Sequence, residues 1–143
     1  MTSATTMRTS PTERVATCSC GSFRVTCTAD PVRASMCHCH ACQKRTGSVF
    51  GVQARFPKGS VSFEGPFKEW SRVGDSGGKA TFQFCPTCGS TVAWTLDGLP
   101  DFVAVAVGAF ADPTFMAPKV SVYEARRHAW TKMPDLVDIE VFD

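Results

Sequence analysis

Hydrophobic and polar residues alternate in short stretches along most of this chain, with a period of two. Phe23, Val25 and Cys27 fall on one side while Arg24, Thr26 and Thr28 fall on the other, the pattern of a strand with one buried face. Cys27 thus lies on the apolar side, where a free cysteine packs as a small hydrophobe. Asp30-Pro31 interrupts the pattern, and Val32 to Met36 predicts a strand leading into a dense group of cysteines. Val49 to Phe56, Val61 to Phe63, Lys68 to Val73, Lys79 to Phe84, Thr91 to Leu96, Phe102 to Val107 and Val120 to Tyr123 continue the series. Glycine- and proline-bearing turns such as Pro57 to Ser60 and Gly74 to Gly78 separate them. Many short strands with frequent turns predict an all-β, antiparallel architecture. Helical character is confined to one short turn after Cys42, where the polar run Gln43 to Thr46 stops at Gly47.

With 143 residues the chain suits one domain. That domain is expected over residues 12–143, with the Ser/Thr-rich residues 1–11 as a disordered tail. The acidic stretch Asp135 to Asp143, in which Leu136, Val137, Ile139, Val141 and Phe142 recur, predicts an edge strand. Fifteen basic against 13 acidic residues leave a formal charge of +2, which gives no broad electrostatic case for nucleic acid or an anionic membrane surface. The longest apolar run, Phe102 to Phe110, is far shorter than the roughly 20 residues of a membrane-spanning helix. The N-terminal residues carry no apolar signal core, so the expected location is cytoplasmic.

Eight cysteines change the picture. A disulfide scaffold is one reading, but seven of the eight sit in tight groups that suit metal better than cross-links between distant segments. The groups are Cys18-Ser19-Cys20-Gly21, Cys37-His38-Cys39-His40-Ala41-Cys42 and Cys85-Pro86-Thr87-Cys88-Gly89. The first and last each end in glycine, which permits the tight backbone that brings amide groups to sulfur. Pairing Cys18 and Cys20 with Cys85 and Cys88 makes a closed four-sulfur zinc site. Cys37, Cys39 and Cys42 remain as a trio with a fourth position to fill. Closed four-ligand zinc sites are usually structural, and sites with three protein ligands and an open position are usually catalytic.

The three groups in this order, C-x-C-G, C-H-C-x-x-C-Q and C-P-x-C-G, resemble the glutathione-dependent formaldehyde-activating enzyme family, which includes centromere protein V. Gly108 to Pro113 is similar to that family's G-x-x-x-D-P turn. Tyr123 to Trp130 lies where the family has a strand leading to a basic residue and Trp. The resemblance covers roughly Cys18 to Pro134. It implies a β-tent of antiparallel sheets, a fold shared with a zinc-binding Rab exchange factor, and two zinc ions per chain. It also implies that Cys18, Cys20, Cys85 and Cys88 hold the structural zinc and that Cys37, Cys39 and Cys42 hold the reactive one. Ser121 stands where the family often has a histidine.

The resemblance implies a carbon-sulfur lyase that adds a zinc-activated thiol, such as glutathione, to formaldehyde or a similar aldehyde, or reverses that addition. A zinc-bound thiol loses its proton near neutral pH, where a free one has a pKa of about 8.5. His38 or His40 would be the proton carrier, although a histidine in so tight a turn ordinarily points to solvent. The carboxylates of a glutathione-like thiol call for cationic partners, and Lys44, Arg45, Arg126 and Arg127 are the candidates. Trp70, Trp94 and Trp130 are expected in the core or along a pocket. A non-catalytic zinc-binding interaction module is the alternative, and a redox role for the Cys39-x-x-Cys42 pair is a third reading.

Overall fold

The computed structural model describes residues 13–132 and 138–143. Three strands, β1 (Arg14–Thr17), β2 (Arg24–Cys27) and β5 (Val61–Glu64), form a small antiparallel sheet. A larger sheet is built from β3 (Arg33–Cys37), β4 (Gly51–Pro57), β6 (Lys68–Val73), β7 (Lys79–Phe84), β8 (Thr91–Leu96), β9 (Phe102–Ala106), β10 (Val120–Val122) and β11 (Glu140–Val141). Its spatial order is β11-β10-β3-β4-β9-β8-β7-β6.

The alternation read from the sequence sorts the side chains of these sheets. Phe23, Val25 and Cys27 are fully buried and pack with Ala34, Ala54, Phe56, Val92 and Val105 of the large sheet. Phe23 meets Phe63 edge-on at 5.6 Å and stacks on Phe67 at 5.2 Å, and full burial of one such ring is worth about 1.5–3 kcal/mol. Cys27 is therefore a core residue, and burial pushes its thiol up to about 12.

The other face of the large sheet carries the chemistry. The ladder sets Val122 beside Cys37 and Cys37 beside Gly51. Further along the same face, Ala104 stands beside Trp94 and Trp94 beside Phe82.

Two features depart from the sequence reading. β10 runs parallel to β3, and β11 runs parallel to β10, at one end of an otherwise antiparallel sheet. Alternation reports which face a residue takes but not the direction of the strand, and here residues 107–119 carry the chain across before β10 begins. Phe110 and Phe115, stacked at 4.9 Å, fasten that crossing. The helix, α1 (His40–Thr46), also begins two residues before Cys42 rather than after it. Cys39 caps it, its Sγ accepting from the Cys42 backbone N–H at 3.3 Å, a task that Ser, Thr, Asp or Asn ordinarily performs. Gly47 closes the other end by donating to Gln43 O at 2.8 Å.

The predicted tail at residues 1–11 lies outside the described residues, as do Leu136 and Val137 of the predicted last strand. Of that strand, Glu140–Val141 forms the edge. Among the described residues no helix is long and apolar enough to cross a membrane.

Candidate metal centres

The turns between β1 and β2 and between β7 and β8 are built alike. Gly21 and Gly89 each follow the second cysteine of their pair, with φ of 82° and 81°, a region that residues with a Cβ rarely enter. Each glycine donates back to the first cysteine's carbonyl, Gly21 to Cys18 at 3.1 Å and Gly89 to Cys85 at 2.9 Å. The tight turns aim amide hydrogens at sulfur: Phe23 N–H at Cys18 Sγ, 3.3 Å, and Thr87 N–H at Cys85 Sγ, 3.3 Å.

The four sulfurs of Cys18, Cys20, Cys85 and Cys88 lie within 4.8 Å of one another and could hold a metal ion. A tetrahedral zinc with bonds of about 2.3 Å separates its sulfurs by about 3.8 Å. Cys18 and Cys20 are 3.7 Å apart, and Cys20 and Cys85 are 3.6 Å apart. The donor set and spacing therefore fit that ion. Hydrogen bonding with Ser90 brings the Cys88 thiol down to about 5, and the Ser22 hydroxyl with the Cys88 amide brings Cys85 down to about 7. Both shifts favour the deprotonated form that a metal requires.

The sulfurs of Cys37, Cys39 and Cys42 form a second group within 4.8 Å, all three residues buried. Cys37 ends β3, and Cys39 and Cys42 belong to the cap and first turn of α1. Hydrogen bonds from Cys37 and then Cys42 pull the Cys39 thiol down to about 2, while the same contacts and burial push Cys37 strongly upward. The Cys42 amide, donating to Cys39 Sγ, favours the thiolate there. This donor set also fits a metal, with three ligands in place of four.

The trio opens onto a cavity of about 450 Å³. Phe82 and Trp94, each 5% exposed, line it from the strands. Val122 and Tyr123 border the trio, and Arg45, Arg72 and Lys79 supply positive charge. Gln53 also lines it, and its Oε1 is a buried acceptor without a partner among the described residues.

The family model for the glutathione-dependent formaldehyde-activating enzyme matches residues 13–126. The chain belongs to this family. A crystal structure of a Rhodobacter sphaeroides protein has a similar fold, with a TM-score of 0.55 and 16% identity; the match covers 90% of this chain and 99% of that one. No curated protein matches the sequence. All seven clustered cysteines lie inside the segment that the formaldehyde-activating family model spans.

Within this member of the formaldehyde-activating family, the remaining candidates scatter. Arg45 lines the cavity. Lys44, its neighbour on α1, is exposed and turned elsewhere. Arg126 pairs with Asp75 of the β6–β7 turn and lies 5.2 Å over the Tyr123 ring. Arg127 pairs with Glu124 at 3.0 Å on the far side of β3. Trp70 and Trp130 are 59% and 71% exposed, and Trp94 is the tryptophan at the cavity.

The two histidines also part company. His40 is exposed and lines the cavity. His38 is buried, 1% exposed, contrary to the expectation of a solvated side chain. It alternates away from Cys37 and Cys39, and its Nε2 lies 3.0 Å from Ser121 Oγ and 3.2 Å from Glu124 Oε2. The carboxylate can only accept, so Nε2 carries the proton. Burial lowers the pKa of His38 although Glu124 opposes it. Ser121 also donates to Glu124. Arg72, Lys79, Gln53 and Phe82 were missed as cavity residues, because strand alternation marks a face without saying which helix or loop covers it.

Proposed function

We propose that this chain is a zinc-dependent carbon-sulfur lyase, adding a glutathione-like thiol to formaldehyde or a similar aldehyde and catalysing the reverse cleavage. The observation that carries this reading is a trio of buried cysteines, without a fourth sulfur in the group, opening onto a cavity large enough for a small organic thiol. Cys18, Cys20, Cys85 and Cys88 would hold one zinc and fasten the two sheets, and Cys37, Cys39 and Cys42 would hold the other. Bound at the trio, zinc would supply an open position where a thiol is deprotonated and made nucleophilic.

The protein's own groups do the rest. Phe82, Trp94, Val122 and Tyr123 make an apolar wall that limits water around the reacting sulfur. Gln53 Oε1 offers an acceptor for a ligand N–H or O–H. In the forward direction the thiolate sulfur forms a bond to the carbonyl carbon, the C=O π pair moves to oxygen, and that oxygen takes a proton. His40, which lines the cavity and is open to solvent, would deliver it. In reverse, the hydroxyl proton leaves, the C=O bond re-forms and the C–S bond breaks.

Exchange NMR on glutathione and formaldehyde tests this, comparing zinc-loaded protein, its Cys39→Ser variant and buffer. Faster exchange with the intact protein alone supports the lyase. Equal rates in all three samples would remove this substrate pair.

A further inference from the structure

Two arginines stand in the cavity beside the cysteine trio. Arg45, one turn after Cys42 on α1, lays its guanidinium over Trp94, 4.3 Å from the ring centroid, and 5.7 Å from that of Phe82. Arg72 comes from β6 and sits 5.6 Å from the same Phe82 ring. Neither has a carboxylate or hydrogen-bond partner among the described residues, whereas Asp75, also at the cavity, is paired with Arg126.

Stacking uses the flat face of a guanidinium and leaves its in-plane N–H groups free. Those edges match a carboxylate, which accepts two parallel hydrogen bonds. The Trp94 ring also restrains Arg45 in advance, so less side-chain freedom is lost when an anion arrives. The chain makes room for this arrangement. A Cβ on Gly51 would meet Arg45 Nη2 at 2.9 Å and Cys42 Cβ at 3.6 Å, so the guanidinium lies close beside the cysteine trio.

We propose that Arg45 and Arg72 form a carboxylate subsite next to the trio, making them determinants of specificity for thiols that carry a carboxylate a few bonds from sulfur. The proposal rests on the thiol-binding reading above and adds to it a ligand class and two residues. Because Arg45, Arg72 and the trio line one cavity, a single small molecule can present its thiol to the trio and its carboxylate to the arginines. A neutral thiol of equal size would offer the two guanidinium groups no carboxylate to pair with.

The test is calorimetric titration of zinc-loaded protein with 3-mercaptopropionate and with its uncharged methyl ester. The variants are Arg45→Gln, Arg72→Gln and the double replacement, each checked for unchanged metal content and circular dichroism. The acid is expected to bind the unaltered protein at least tenfold more tightly than the ester, as loss of a charge-assisted pair implies. Each single variant should lose most of that preference while its affinity for the ester stays within about twofold. Equal affinities for acid and ester in the unaltered protein would overturn the subsite and leave thiol binding standing. A preference that survives the double replacement would overturn the assignment to these residues. If neither thiol binds, the thiol reading fails and the subsite falls with it.

Discussion

Cys20 Sγ lies 3.6 Å from Cys85 Sγ although 65 positions separate the two residues. One belongs to the hairpin of the small sheet and the other to the β7–β8 turn of the large sheet. A metal shared by them would pin the layers together, and its binding free energy would be part of the folding free energy.

Cys85→Ser should therefore unfold the domain or lower its midpoint drastically. Cys39→Ser should leave the fold intact and remove one metal equivalent and the activity. Thermal melts followed by circular dichroism, with metal analysis on each sample, separate the two cases. Equal destabilisation by both replacements contradicts this division of labour.

Cys27 should be inert. Its thiol, fully buried and raised to about 12, stays protonated at neutral pH. Iodoacetamide applied to native protein should leave Cys27 unlabelled by mass spectrometry, and Cys27→Val should keep both metals at a stability cost of about 1 kcal/mol or less. Metal loss in Cys27→Val would disprove the core assignment.

Glu124 ties stability to pH. Burial alone would raise its pKa, but the Ser121 hydrogen bond and the charges of His38 and Arg127 outweigh burial and lower it. The unfolded chain therefore takes up this proton first as pH falls. The stabilisation is complete above the ordinary value of 4.5 and is lost as pH drops through the lower folded value. Denaturant titrations from about pH 6 to about pH 3.5 should show the gap between unaltered protein and Glu124→Gln closing with acid. A gap independent of pH would exclude this linkage.

Gly51→Ala offers a test of Arg45 that keeps every charge. The new Cβ would collide with the end of a flexible side chain, so folding should change by about 1 kcal/mol or less. Displacing the guanidinium from Trp94 should alter tryptophan fluorescence and weaken the preference for an acidic thiol several-fold. Unchanged fluorescence would mean that Arg45 does not rest there.

Much of this was legible in the residues. Lys68–Val73, Lys79–Phe84 and Thr91–Leu96 coincide with their predicted strands because alternation and flanking turns agreed there. The grouping of Cys18 and Cys20 with Cys85 and Cys88 followed from their matching glycine-ended turns and recurs in the fold. The start of α1 was hidden because a cysteine serves as its cap. The burial of His38 was hidden because its partners, Ser121 and Glu124, arrive from a parallel strand that no local pattern announces. Arg72 was hidden for a similar reason: on β6 it reads as one more polar residue, and only the sheet's register brings it to Phe82 and the cavity.

The pairing of Val122 with Cys37 also orders events in time. The trio is synthesised early, and Val122, in the strand that walls it, follows 85 residues after Cys37. A metal ion arriving at that stage would meet the trio while it is open on one side. The strand that walls this side of the trio is added only later.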